Sequence, residues 1–182
     1  EQPSMEDERT QPRLSAACRA GYNRGMKCFV TGASGFVGAN LVHALNAQGH
    51  EVRALLRENS DRRGLQGAEY EAVSGDLEDK TALERGMAGC EWCFHVAASY
   101  HLWLPNYAPM YAANVDGTRN VLEAAGAAGC ERIVYTSTVG CIGLPRGTTP
   151  TNETTPVSEE QMSNHYKISK WRAEVVAQEL AE

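Results

Sequence analysis

Thr31-Gly32-Ala33-Ser34-Gly35-Phe36-Val37-Gly38 lies between a short apolar run, Met26-Lys27-Cys28-Phe29-Val30, and an amphipathic segment, Ala39 to Gln48. That order reads as strand, glycine-rich turn, helix. Such a turn aims backbone N–H groups and the positive end of a helix dipole at one place, where a phosphate fits. Gly32 lets the chain turn sharply, Gly35 lets a pyrophosphate approach the backbone, and Gly38 lets the helix lie close on the strand. Ser34, Phe36 and Val37 complete the candidate cofactor-binding turn. The spacing is G-x-x-G-x-x-G, not G-x-G-x-x-G, and no Gly-Lys-Ser/Thr follows, so this is not a P-loop. A turn that only packs a helix on a sheet would look the same in isolation. The rest of the chain decides between the two.

The 182 residues suggest one domain with length enough for a sizeable core. A net charge of −6 argues against broad attraction to nucleic acid or anionic membrane. No apolar run approaches a membrane span. Six cysteines are scattered at 18, 28, 90, 93, 130 and 141. Cys90 and Cys93 form a C-x-x-C inside an expected strand, which would point them to opposite faces. No second Cys or His pair stands near, so no metal site is expected and reduced, buried thiols in a cytoplasmic protein are. Residues 1–25 mix Glu6-Asp7-Glu8 with four arginines and show no periodicity. They lack an apolar core, so they are no secretory signal. They read as a disordered extension upstream of a natural start at Met26, with a transit peptide the weaker option because acidic residues come early.

From Met26 strands and helices alternate. Strands are expected at Lys27–Val30, Glu51–Leu56, Tyr70–Val73, Glu91–Val96 and Arg132–Thr136. Helices are expected from near Phe36, over about 79–88 and 111–128, and from about Asn164 to the end. Gly49-His50 breaks the first helix, and a Gly/Pro/Thr-rich loop spans 140–155. Alternation of this kind gives a Rossmann-type α/β fold: a doubly wound parallel sheet with right-handed crossovers, helices on both faces, and a dinucleotide at the carboxyl ends of the strands.

Arg57 ends the second strand, nineteen positions past Gly38, where dinucleotide folds usually place an acid for the ribose 2′-OH. A planar cation there suits a 2′-phosphate. Arg62 and Arg63 could fold back to the same place. NADP(H) is therefore favoured, with NAD(H) left open if Arg57 is only a solvated charge and Glu58 takes the ribose. Asp76 is placed to accept from an adenine amino group, or else caps a turn. Tyr166 and Lys170 stand at i and i+4 on one helix face. A Lys beside a Tyr favours the phenolate, so the phenol could give or take a proton near neutral pH. The same pair on an isolated surface helix would mean nothing. Hydroxyls at Ser137 and Thr138 fall at the ligand edge of the sheet.

The order of these signals resembles the extended short-chain dehydrogenase/reductase family, the NAD(P)-dependent epimerase/dehydratases. The resemblance runs from Met26 to Glu182. T-G-A-S-G-F-V-G, V-R-A-L-L-R, H-V-A-A-S, N-V-D-G-T-R-N, Y-T-S-T and Y-K-I-S-K look most like the dihydroflavonol-reductase-like branch. The nearest likeness is to hopanoid-associated sugar epimerases, and includes Tyr100 to Trp103 and Glu153 to Pro156. The resemblance implies Thr138, Tyr166 and Lys170 as the catalytic set, with Tyr166 the acid/base and Lys170 also on the nicotinamide ribose. It implies Leu77, Ala97, Ala98 and Ser99 along the cofactor and Asn114 as a tie between helix and sheet.

Family members continue past the position of Glu182 with a further strand and a substrate domain, so a truncated chain is expected. The expected activity is hydride transfer between NADP(H) and a small-molecule carbonyl, alcohol or sugar, in a protein able to form a homodimer when complete. Net reduction and nucleotide-sugar epimerisation or dehydration share that chemistry. A non-catalytic cofactor-binding module or an inactive fragment is the alternative from another class.

Overall fold

The computed structural model describes residues 25–145 and 150–181, so the expected N-terminal extension lies outside the described residues save for Gly25. Five strands, β1 (Lys27–Thr31), β2 (Glu51–Leu56), β3 (Glu71–Ser74), β4 (Trp92–His95) and β5 (Arg132–Tyr135), form one sheet in the order β3-β2-β1-β4-β5. Every pairing is parallel. Helix α1 (Phe36–Ala47) joins β1 to β2 and α2 (Lys80–Met87) joins β3 to β4. Helix α3 joins β4 to β5 in three continuous pieces: α-helical Ala108–Tyr111, π-helical Ala112–Asp116 and α-helical Gly117–Ala127. Helix α4 (His165–Glu179) follows β5.

Alternation along β1 sends its side chains to two cores. Cys28 and Val30 pack with Ala39, Val42 and Leu45 of α1. Phe29, between them, packs with Leu83 and Met87 of α2 and Val121 and Ala125 of α3. Both cores close because a central strand of a parallel sheet is apolar on both faces. Helix α2 starts where Asp79 accepts from the Ala82 N–H (2.9 Å), and α4 where Asn164 accepts from the Lys167 N–H (2.9 Å). Side-chain acceptors at these positions satisfy N–H groups that the helix leaves unpaired. The chain winds outward from β1 through β2 to β3, then returns to β4 on the other side. The carboxyl ends of β1 and β4 are therefore the switch point, where such sheets open a crevice.

The expected elements are all present, with the ends of several displaced. The π-helical turn interrupts the expected long helix, which begins three residues early at Ala108. The two C-x-x-C thiols do not face opposite ways. Cys90 sits in the turn ahead of β4, not on it, and both Cys90 and Cys93 are buried in the core shared with α2 and α3. All five cysteines among the described residues are free. Burial pushes the thiols up, Cys28 to about 12, so they behave as small apolar side chains. Among the described residues no helix is long and apolar enough to cross a membrane.

The two sheet edges differ. On β3, Glu71 is exposed and pairs with Arg53 at 2.7 Å. On β5, Ile133 and Val134 are 39% and 48% exposed. An open edge with apolar side chains templates association. The chain is expected to self-associate with rising concentration in sedimentation velocity, and Ile133→Lys with Val134→Lys to suppress this. Equal sedimentation of the two at every concentration would place the association elsewhere or nowhere.

Candidate active site

The glycine turn leads directly from β1 into α1. Gly32 has φ +70°, and a Cβ there would lie 2.6 Å from the Ala97 nitrogen. Gly38 is buried against the turn itself, where a Cβ would meet the Gly32 carbonyl oxygen at 2.1 Å. No side chain could be added at either place without moving backbone. Gly35 is different. It is exposed, and a Cβ there would meet only the Gly32 carbonyl oxygen, at 3.3 Å. It forms the N-cap of α1 with no side-chain cap, and no acidic residue lies in the first turn. The N–H groups there are thus presented to an anion without competition. A dinucleotide pyrophosphate fits this cradle. Ser34 is half-buried beside it, while Phe36 and Val37 are 87% and 57% exposed.

Beside the turn runs a buried relay. Thr31 Oγ1 lies 2.7 Å from His95 Nδ1, and His95 Nε2 lies 2.9 Å from Thr118 Oγ1. Thr118 donates its hydroxyl to the Asn114 carbonyl (2.6 Å), so it accepts from His95 Nε2–H. Nδ1 then accepts from the Thr31 hydroxyl, whose oxygen also accepts the Ala97 N–H at 3.3 Å. Every polar atom is satisfied by the neutral ring. Burial drives the His95 pKa down to about 3, with Lys170 a lesser cause. Asn114, at the π-helical turn, accepts the Ser99 N–H (2.7 Å) and donates to the Ser99 carbonyl and to Ser169 Oγ, both at 2.9 Å. It therefore ties α3 to α4 and to the segment after β4, which carries half-buried Ala97 and exposed Ala98.

Tyr166 and Lys170 lie one turn apart on α4. Lys170 is 2% exposed; its Nζ donates to the Thr136 carbonyl (2.9 Å) and sits 4.4 Å above the centre of the Tyr135 ring. Burial lowers its pKa to about 8. The expectation that Lys170 pulls the Tyr166 phenol toward phenolate is corrected here. The Tyr166 pKa is raised, first by burial, then by Tyr100 and Cys141. The ammonium is drawn instead to a carbonyl and a ring at the end of β5, and the Tyr166 ring packs on Tyr100 at 4.6 Å.

The remaining sequence candidates fall into two groups. Arg57 is exposed just past the end of β2, and among the described residues its guanidinium takes no partner. Arg63 does not join it, because Asp61 holds it in a fork at 2.7–3.1 Å. Asp76 places Oδ1 on the Glu78 and Asp79 N–H groups (2.9 and 3.1 Å), which is the turn role. Leu77, next to it, gives its carbonyl to Asn120 at 3.0 Å. Thr138 accepts from the Gly140 N–H at 3.2 Å, and Ser137 donates to Glu174. Both hydroxyls line a cleft of about 580 Å³ with Glu174 and Cys141. Among the described residues no cluster of His, Cys, Asp and Glu could hold a metal.

The sequence reading missed His95, Thr118 and Glu174. A histidine and a threonine on otherwise apolar buried faces were the available signals. His95 yields a test. Its folded pKa is below the ordinary 6.5, so the unfolded chain binds more protons between about pH 6.5 and about pH 3, and its stabilising effect is lost as pH falls through that window. Urea unfolding should show the wild type losing on the order of 2 kcal/mol more than His95→Gln on going from about pH 7 to about pH 4.5. Parallel losses in the two proteins would show that His95 is not held neutral.

The NAD dependent epimerase/dehydratase family model matches residues 28–182. A dihydroflavonol 4-reductase-like protein of Synechocystis sp. is 47% identical over 146 residues, covering 80% of this chain and 42% of its own. The crystal structure of gox2253 superposes with a TM-score of 0.81 at 44% identity, over 87% of this chain and 48% of that one. The Bordetella bronchiseptica enzyme WbmG, solved with NAD and UDP, gives a TM-score of 0.73 at 29% identity, over 85% and 50%. The chain spans about half the length of the relatives it matches. With a parallel sheet in this strand order, a glycine cradle at its switch point and Tyr166–Lys170 on α4, the chain belongs to the NAD dependent epimerase/dehydratase family.

Proposed function

We propose that this chain carries the cofactor half of an NADP(H)-dependent oxidoreductase acting between a secondary alcohol and a ketone, with Tyr166 as the proton partner. The observation that carries the reading is the buried Lys170, held at the end of β5 one turn from Tyr166. The nicotinamide cofactor supplies the hydride when bound. The chain's own residues do the rest. The α1 N-terminus and Gly35 would cradle the pyrophosphate, Arg57, whose cation is unclaimed by its neighbours, would hold the ribose 2′-phosphate, and Asp76 would accept from the adenine amino group. The Ala97–Ser99 segment, fixed by Asn114, lines the channel.

Tyr166, kept protonated by burial and by Tyr100, is suited to donate its proton to a carbonyl oxygen as that oxygen gains charge. Lys170, turned from Thr136 toward a ribose, would then stabilise the phenolate left behind. Thr138 and Ser137, which line the cleft, would hold the carbonyl. Tyr100 packs edge-on against Tyr166, and Leu102 and Trp103 are exposed on the same segment, an apolar surface that supports reduction of a ketone with an apolar body. The reductase name of the Synechocystis relative supports the same direction. Nucleotide-sugar epimerisation or dehydration is the second reading, favoured by the UDP bound to WbmG. The free thiols support the expected reducing, cytoplasmic setting.

Calorimetric titration should give NADPH an advantage over NADH of about tenfold to a hundredfold, the worth of one charged hydrogen bond, and Arg57→Ala should abolish it. Equal affinities in the wild type would remove NADP(H) from the assignment. With NADPH and a panel of aromatic and alicyclic ketones, Tyr166→Phe should lose at least about a hundredfold in turnover with cofactor affinity nearly unchanged. Near-normal turnover in that variant would mean the proton comes from another group.

A further inference from the structure

The segment between β4 and α3 is pinned at both ends by unlike chemistry. At the near end, Asn114 grips both the N–H and the carbonyl of Ser99 (2.7 and 2.9 Å). At the far end, Tyr107 and Tyr111 stand four residues apart across the first turn of α3, and the imidazole of His165 meets both. Its ring stacks on Tyr107 with centroids 3.9 Å apart and 21° between planes. Its Nδ1 shares a 3.0 Å hydrogen bond with the Tyr111 hydroxyl. Arg172 backs the Tyr111 ring at 5.4 Å and is itself held by both oxygens of Glu159, at 2.8 and 2.6 Å. Between the two pins, Tyr100 stands edge-on to Tyr166, with 4.6 Å between centroids and 86° between planes.

The geometry points to His165 as a positioning residue for Tyr166: its clasp by Tyr107 and Tyr111 sets the path of residues 99–107, and so holds Tyr100 against the acid–base ring. This rests on the reading of Tyr166 as the proton partner. His165 precedes Tyr166 in sequence but does not act through that link. Helix α4 is already capped by Asn164 and anchored by buried Ser169, Lys170, Ala173 and Val176, so it forms without the clasp. His165 itself is exposed and buries little. What the clasp adds is placement of the neighbouring segment. The groups that act on the Tyr166 phenol are Tyr100 from that segment, Cys141 from the turn after β5, and Tyr135 at the end of β5. Of these only Tyr100 depends on the clasp.

The test reads Tyr166 ionisation directly in this chain, by ultraviolet tyrosinate titration of each variant against the same variant carrying Tyr166→Phe. His165→Ala should admit water to the ring and move the Tyr166 midpoint down toward the ordinary phenol value. Tyr100→Leu should move it in the same direction. His165→Phe, which keeps the stack on Tyr107, should restore most of the shift. Melting temperature and NADPH affinity should stay near wild type in all three, since the glycine cradle lies on other elements. An unchanged midpoint in His165→Ala, or shifts of equal size in His165→Phe and His165→Ala, overturns the proposal. Full ketone turnover in Tyr166→Phe overturns the acid–base reading, and does so independently of these midpoints.

Discussion

The cofactor face of this domain hangs on one neutral imidazole. His95 ends β4 and reaches Thr31 at the end of β1 and Thr118 on α3, the three elements that meet at the switch point. Thr118 passes the chain of bonds to the backbone of Asn114, whose side chain grips Ser99 and Ser169. A continuous polar path therefore runs from the glycine turn to α4 through buried side chains. Low local polarity strengthens each link and makes any broken link costly. Positive charge on the ring would leave Nδ1 a donor facing the Thr31 hydroxyl, with no carboxylate to answer it.

Two other constraints share that region. The backbones of Gly32 and Gly38 approach so closely that a Cβ on Gly38 would lie 2.1 Å from the Gly32 carbonyl oxygen, which holds the turn against the first turn of α1. Lys170 accepts burial for the sake of position, and its ammonium is held by a carbonyl and an aromatic face in place of a carboxylate. That choice leaves the charge movable. A hydroxyl-bearing ligand at the strand ends competes with a neutral carbonyl, not with an ion pair, for the ammonium.

Sequence pattern carried the fold well where the signal was local. Strand β2 is bounded by Gly49-His50 and by Arg57, and its limits were read to the residue. The start of α1 and the caps Asp79 and Asn164 follow from turn and capping chemistry. The π-helical turn was invisible because Ala112 to Asp116 are all compatible with an α-helix, and one extra residue per turn leaves no mark in composition. Cys90 was read into a strand that begins two residues later, at Trp92, and outside a strand the alternation of faces no longer holds. In the candidate site, Tyr166 and Lys170 were legible as a helical pair, yet their coupling was not. The direction of the Lys170 ammonium is set by Thr136, and the Tyr166 environment by Tyr100. Both are distant in sequence. His95 was hidden for the same reason, since its partners lie 64 and 23 residues away.

The strand order also fixes a timetable. Strand β1 finds β2 through the compact β1–α1–β2 unit, but its other neighbour, β4, arrives only after 64 further residues have been made. Closing the larger loop costs more chain entropy, and synthesis delivers the amino-terminal unit first. During that interval β1 is an edge, with its hydrogen-bonding side open and Thr31 lacking its histidine. The glycine turn is then shaped on one flank only, for the wall that Ala97 provides has not yet docked. The nascent chain therefore passes through a stage in which an open strand edge and its half-built nucleotide cradle are the same piece of backbone.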